Sequence, residues 1–320
     1  MTAAEPRLLV VVKTTSYETF VTRQRDPRTT ELLARNDPAV GRLLGAHGAH
    51  EATVKEVFDA IESLGAVARG VTTSTLADHR TEDFDLVVTV GGDGTLLTTS
   101  HAVGMETPIL GINSAPEHSV GFFCAARKGG VLAGLEAALA GTMQRTVVSR
   151  MEVELNGVSL TRRVLNDALF CHEIPAATSR YILGVTSGAN GAGDGEPQDR
   201  EEEQKSSGLW IGPAAGSTAA QRSAGGRVLP LTSRRIQYVV REPYTPTGER
   251  LALSRGVVGD RGSIVIRSKM RQAKLFLDGP HVVHEVGLGD VVTLRRSTEP
   301  LTVLGLSRDT ARAAVAAPTP

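Results

Sequence analysis

Cysteine is almost absent from this chain. Among 320 residues only Cys124 and Cys171 occur, without the CxxC or Cys/His spacing of a zinc site. A disulfide scaffold and a structural metal are therefore not expected, and a reducing, cytoplasmic setting is. Aromatic residues make up 4%, so the cores must be aliphatic. Excess charge is missing as well: 35 Lys and Arg balance 35 Asp and Glu, which leaves no bulk attraction toward nucleic acid or an anionic surface. No apolar run approaches the ~18 residues that a bilayer span needs. The first such run, Leu8 to Val12, reads as a strand and not as an export signal. Neither nucleic acid nor membrane is an expected partner. Gly92-Asp93-Gly94 lacks the third glycine of GxGxxG, and neither GK[ST] nor GxSxG occurs, which argues against hydride-transfer, P-loop and serine-hydrolase chemistry.

What remains is an ordinary globular composition, 41% hydrophobic and 22% charged, of a length that suggests about two domains at ~150 residues each. In the first half, strand-like runs at Leu8–Val12, 85–90 and 108–112 alternate with helix-like segments at Glu51–Leu64 and Val131–Ala140. That alternation predicts a parallel sheet flanked by helices, here 1–149. Within Glu51–Leu64, the residues Val54, Val57, Ile61 and Leu64 recur at steps of three and four and so mark one helix face. From about Arg150 the period falls to two. Met151-Glu152-Val153-Glu154-Leu155 ends in Asn156-Gly157, which predicts a hairpin, and further short strands to residue 306 predict a β-sandwich, with Asp278-Gly279 as another turn. Residues 188–205 carry six carboxylates and no large apolar side chain, and are expected to form a flexible acidic insertion. The tail, 307–320, is expected to fray.

Chemistry concentrates in a few places. A strand ending in Gly91-Gly92-Asp93-Gly94-Thr95, followed by a helical pattern, predicts a phosphate pocket. Glycines there permit positive φ and close approach of a ligand, and free helix amides face an anion. The same residues would equally serve a tight turn in which Asp93 caps the helix. Gly216-Ser217-Thr218-Ala219, continued by Ser223-Ala224-Gly225-Gly226, is a run of small and hydroxylic residues that either lets backbone touch a flat ligand or acts as a linker. Asn166-Asp167 pairs an amide with a carboxylate, suited to a base or ribose edge or to a surface turn. His172, His281 and His284 lack ligand spacing and read as structural.

Taken in order, Gly91–Thr95, Gly111-Ile112-Asn113, Asn166-Asp167, Gly216–Ala219 with Ser223–Gly226, and Leu277-Asp278-Gly279 resemble the NAD kinase family over residues 8–306. Residues 113–126 and Ser206-Ser207-Gly208-Leu209 are more similar to its plant NADH kinase and animal mitochondrial branch. The resemblance implies a Rossmann-like α/β domain, a C-terminal β-sandwich, and NAD or NADH in the cleft between them as acceptor. It implies ATP as donor, with Mg²⁺ arriving on the ATP phosphates and no resident metal cage. Asp93 would be the base for the ribose 2′-hydroxyl. Gly91, Gly92, Gly94 and Thr95 would hold phosphates, while Asn113, Asn166 and Asp167 would grip the dinucleotide. Phe122, Ser217, Thr218, Ala219 and Ser223 would line the adenosine pocket, and Ser207 would lie near the nicotinamide amide. A homo-oligomer, dimer or tetramer, is also implied. Two positions depart from the family: Ala220 stands where a Tyr is common, and Ser207 where an Asp often precedes Gly-Leu. Lipid kinases of the diacylglycerol and sphingosine type share the Gly-Gly-Asp-Gly-Thr signature, and a non-catalytic NADP(H) sensor is a further alternative.

Overall fold

A computed structural model describes residues 5–186, 199–245 and 251–307. The chain divides into two compact units, one formed by residues up to Thr146 together with those from Leu301 onward, the other by Val147–Pro300.

The first unit is built on a largely parallel sheet. Its strands lie in the order Val67–Thr72, Arg7–Val12, Leu86–Gly91, Ile109–Asn113, Leu301–Leu304, Arg145–Val148, with Cys124–Arg127 also paired to Ile109–Asn113. Leu8, Val10, Val88, Val90, Leu110 and Ile112 face one way, as the period of two requires. They are covered by Val57, Ala60 and Ile61 of the helix Leu43–Ser63 and by Val131 and Leu135 of the helix Val131–Leu139. Val54 and Leu64 pack at the margin of this cluster, so the expected helix face is present, on a helix that begins eight residues before Glu51. The helix Asp93–Ser100 lies over the opposite face, where Leu96 approaches Gly111. The chain runs from Arg7–Val12 to one neighbour and then crosses back to pair Leu86–Gly91 on the other side. The carboxyl ends of those two strands thus form a topological switch point, where open α/β sheets bind ligands.

The second unit holds two six-stranded antiparallel sheets. Their facing side chains, among them Val153, Tyr181, Ile266 and Leu294 from one sheet and Phe170, Leu209, Tyr238 and Leu275 from the other, make a single buried cluster. Phe170 meets Tyr181 edge to face, with centroids 5.4 Å apart, a favoured quadrupolar geometry. The hairpin Met151–Leu155/Val158–Val164 turns at Asn156 (φ 51°) and Gly157 (φ 80°), the left-handed pair that Asn-Gly supplies.

Two expected boundaries change. Leu301–Leu304 belongs to the first unit's sheet, pairing Ile109 through Val303, so the sandwich ends at Pro300 and not at 306. Of the acidic insertion expected at 188–205, residues 188–198 lie outside the described residues, as does 308–320 of the tail. Arg200–Ser206, however, is a strand paired with Ser179–Val185. Composition hides it because its buried positions are the polar Gln204 and Ser206. Glu202 is also engaged, accepting from the amides of Ala252 and Leu253 at 2.8 Å each. Replacing 200–205 by a Gly-Ser link should therefore lower Tm by about 5 °C or more, since hydrogen bonds to charged groups contribute ~1.5–3 kcal/mol each. An unchanged thermal transition would show the strand to be dispensable.

Candidate active site

The turn from Leu86–Gly91 into the helix Asp93–Ser100 uses its glycines differently from expectation. None of Gly91, Gly92 and Gly94 has positive φ; the constraint is close packing. A Cβ on Gly91 would collide with Thr95 Oγ1 and one on Gly92 would sit 2.5 Å from Ser119 Oγ, whereas at Gly94 it would meet nothing within 4 Å. Gly94 is exposed and leaves open space beside Asp93. Thr95 is buried with its side chain packed on Gly91, so it shapes the turn.

Asp93 does not cap its own helix. The capping position is Gly92, without a side-chain bond. The half-buried Asp93 carboxylate instead accepts from the amides of Phe122 at 2.9 Å and Phe123 at 2.8 Å, one on each oxygen. Each oxygen keeps a further lone pair. The loop that delivers those amides is organised by Asn113: its Nδ2 donates to the Ser119 carbonyl at 2.9 Å and its Oδ1 accepts from Ala115 N at 3.2 Å. Asn113 is thus a loop-forming residue here, both ends of its amide being engaged. Phe122 is buried edge-on against Phe123, with centroids 4.9 Å apart. Burial, and next the Asp93 charge, push the Cys124 thiol well above its usual range, so it stays protonated beside the carboxylate.

The strand end is braced from the helix Leu43–Ser63. Ser114 N donates to Gly91 O at 2.9 Å, and Ser114 Oγ hydrogen-bonds His50 Nδ1 at 2.9 Å. Burial, with the Lys13 charge next, holds His50 down at about 4, so the imidazole is neutral at pH 7. Sequence periodicity carried no sign of this His50–Ser114 pair, 64 residues apart.

In the second unit, Asn166-Asp167 and the small-residue run come together. Gly216 has no room for a side chain, because a Cβ would collide with the Asn166 carbonyl, and one on Gly212 would strike the same carbonyl and Gln221 Nε2. The run is packed structure, not a linker. Asp278 (φ 51°) fixes the pair from the other side. Its carboxylate accepts from Leu165 N at 2.8 Å, Asn166 N at 2.6 Å and Asp167 N at 3.0 Å. Asn166 Nδ2 donates to Asp167 Oδ2 at 2.7 Å. Thr218 and Ala219 are half-buried and Ser223 is exposed. Ser217 is wholly buried, donating to Ala214 O at 2.6 Å and accepting from Leu229 N at 2.9 Å, so its hydroxyl ties the run together internally. Ser207 does not join this cluster. It precedes the strand Gly208–Gly212, whose far end touches Asn166, and five extended residues span ~17 Å.

Buried Asp167 is pushed up from 3.8 to about 7, by burial first and the Asp278 charge second. The unfolded chain releases this proton near pH 4, while the folded chain keeps it until about pH 7. Stability that the group confers at low pH is accordingly lost as pH rises through that window. Urea denaturation should show resistance falling between pH 4 and 7 in the wild type and a flatter profile in Asp167→Asn; identical profiles would remove Asp167 as the cause.

Residues 10–136 match the model of the ATP-NAD kinase N-terminal domain family. Over 237 residues the chain is 36% identical to a probable NADH kinase of Oryza sativa subsp. japonica, covering 69% of this chain and 71% of that one. Over 240 residues it is 34% identical to an NADH kinase of Arabidopsis thaliana, covering 70% and 74%. A solved NAD kinase from Archaeoglobus fulgidus in complex with ATP superposes with a TM-score of 0.64 at 19% identity, covering 96% of this chain and 98% of that one. Yeast NADH kinase complexed with NADH gives 0.68 at 16%, covering 97% and 86%. These two show a shared fold.

Proposed function

The chain belongs to the NAD kinase family, and from that premise we propose that it transfers the γ-phosphate of ATP to the 2′-hydroxyl of the adenosine ribose of NAD or NADH, yielding NADP or NADPH and ADP. The observation that carries this reading is the Asp93 carboxylate, pinned by two amides beside the open space at Gly94. In the reaction the ribose oxygen attacks the γ-phosphorus, the bond from that phosphorus to the β,γ-bridging oxygen breaks with its electron pair leaving on ADP, and the 2′-hydroxyl proton passes to Asp93. A base so positioned contributes ~10²–10⁴-fold. The backbone at half-buried Gly92 and exposed Gly94 would lie against phosphates; Asn166, Asp167, Thr218, Ala219 and Ser223 would hold the dinucleotide. Mg²⁺ would enter as part of the Mg-ATP substrate. Action in the cytoplasm as a homodimer or homotetramer completes the proposal. No helix among the described residues is long and apolar enough to cross a membrane.

Asp93→Asn should lower kcat by ~10²–10⁴-fold while NAD affinity, measured by calorimetry, changes only several-fold. Near-wild-type turnover would remove Asp93 as the base. Serine at 207 places no carboxylate there to favour the positively charged oxidised nicotinamide ring. The wild type is expected to use NADH at least as well as NAD, and Ser207→Asp to shift the kcat/KM ratio toward NAD by about fivefold. An unaltered ratio would place residue 207 away from the ring.

A further inference from the structure

The Gly91–Thr95 turn occupies one side of the switch point in the first unit; a second feature occupies the other. Lys13 follows the strand Arg7–Val12, and its amide donates to the Val90 carbonyl at 3.2 Å, which fixes it alongside the strand that ends at Gly91. Its side chain lines a pocket of about 270 Å³ together with Thr15, Arg42 and His47. No carboxylate lines this pocket. Among the described residues neither Lys13 nor Arg42 has an ion-pair partner, while the nearby Glu18 is held by Arg23 at 2.6 Å. His47 is fixed with Nδ1 on Thr15 Oγ1 at 2.9 Å and its ring stacked on Tyr17 at 4.8 Å, which prevents it from swinging out. Burial pulls the Lys13 ammonium below its usual range. The helix Leu43–Ser63 begins at this pocket with no acidic residue in its first turn and no side-chain cap.

We propose that this pocket binds the phosphate chain of the phosphoryl donor, with Lys13 and Arg42 neutralising it and His47 donating a hydrogen bond. The inference rests on the kinase reading above and extends the donor site to residues that no motif marks. The volume lies below the ~300–1,000 Å³ typical of pockets that engulf a drug-sized ligand, so it suits a run of phosphate groups better than a whole nucleotide. A planar guanidinium and an ammonium without internal partners are the side chains that recognise such oxyanions. Lys13, on the strand neighbouring Leu86–Gly91, would hold the chain at the same sheet end as Asp93, as the reaction requires. The shared chemistry is a linear polyphosphate, carried either by a nucleoside triphosphate or by inorganic polyphosphate.

The test uses the full chain with Mg-ATP and with inorganic tripolyphosphate, each by calorimetry and as donor in an NADP-forming assay. Arg42 is exposed, so Arg42→Gln should fold normally and serves if Lys13→Met does not. Each variant is expected to weaken binding of both anions about tenfold, the effect of losing one charge-assisted phosphate contact, and to raise the KM of the donor similarly while the KM of NAD stays within twofold. Binding and KM values like the wild type in Arg42→Gln, or equal rises for donor and NAD, would overturn the proposal. Should the wild type bind tripolyphosphate, and lose it in the variants, yet phosphorylate neither NAD nor NADH, the pocket stands and the kinase reading falls. Turnover with tripolyphosphate alone would identify inorganic polyphosphate as a donor, and turnover with ATP alone would assign the pocket to the nucleotide's chain.

Discussion

A carboxylate that accepts from neighbouring backbone amides is the interaction on which this structure turns, and it occurs at four decisive places. Glu56 takes Gly129 and Val131 at the start of the helix Val131–Leu139. Asp93 takes Phe122 and Phe123, Glu202 takes Ala252 and Leu253, and Asp278 takes Leu165, Asn166 and Asp167. Each joins segments far apart in sequence, and each satisfies amides that would otherwise need water. Charge-assisted bonds of this kind are stronger than neutral ones, and two or three on one carboxylate fix its orientation as well as its position. For Asp93 that matters directly, because the carboxylate proposed to take the ribose proton is already aligned by the loop beside it.

The two units prepare their residues by different means. In the first, the sheet topology brings the ends of Arg7–Val12 and Leu86–Gly91 together. The glycine turn, the Asp93 clamp and the basic pocket then follow from what lies at those ends. In the second, packing is the agent. Gly212 and Gly216 admit the Asn166 backbone where any side chain would collide, and Asp278 closes the other flank. The raised Asp167 is the electrostatic consequence of burying one carboxylate beside another.

Much of this was legible in the sequence. Period-two and helical patterns located the sheet, the helix face at Val57 and Ile61 and the Asn156-Gly157 hairpin, because in each case apolar spacing or turn chemistry acts over a few residues. The motif order pointed to the family and to Asp93. What could not be read was set by contacts between distant segments. The strand Arg200–Ser206 buries polar side chains, so composition presented it as a loop. Leu301–Leu304 returns to the first unit's sheet, which no local pattern reveals. Thr95, Asn113 and Ser217 have the residue types of ligand contacts, yet their side chains serve the protein itself. Lys13, Arg42 and His47 bear no motif, and only the fold gathers them around one pocket.

The central claim is that this chain makes NADP or NADPH by phosphorylating the adenosine ribose at its 2′-oxygen. The most direct test is to incubate the full chain with Mg-ATP and either NAD or NADH and to locate the new phosphate by ³¹P and ¹H NMR. A single product, phosphorylated on the 2′-oxygen and formed together with an equal amount of ADP, is the predicted result. Absence of that product, with ATP left intact or its phosphate transferred to a diacylglycerol or sphingoid acceptor supplied in parallel, would contradict it.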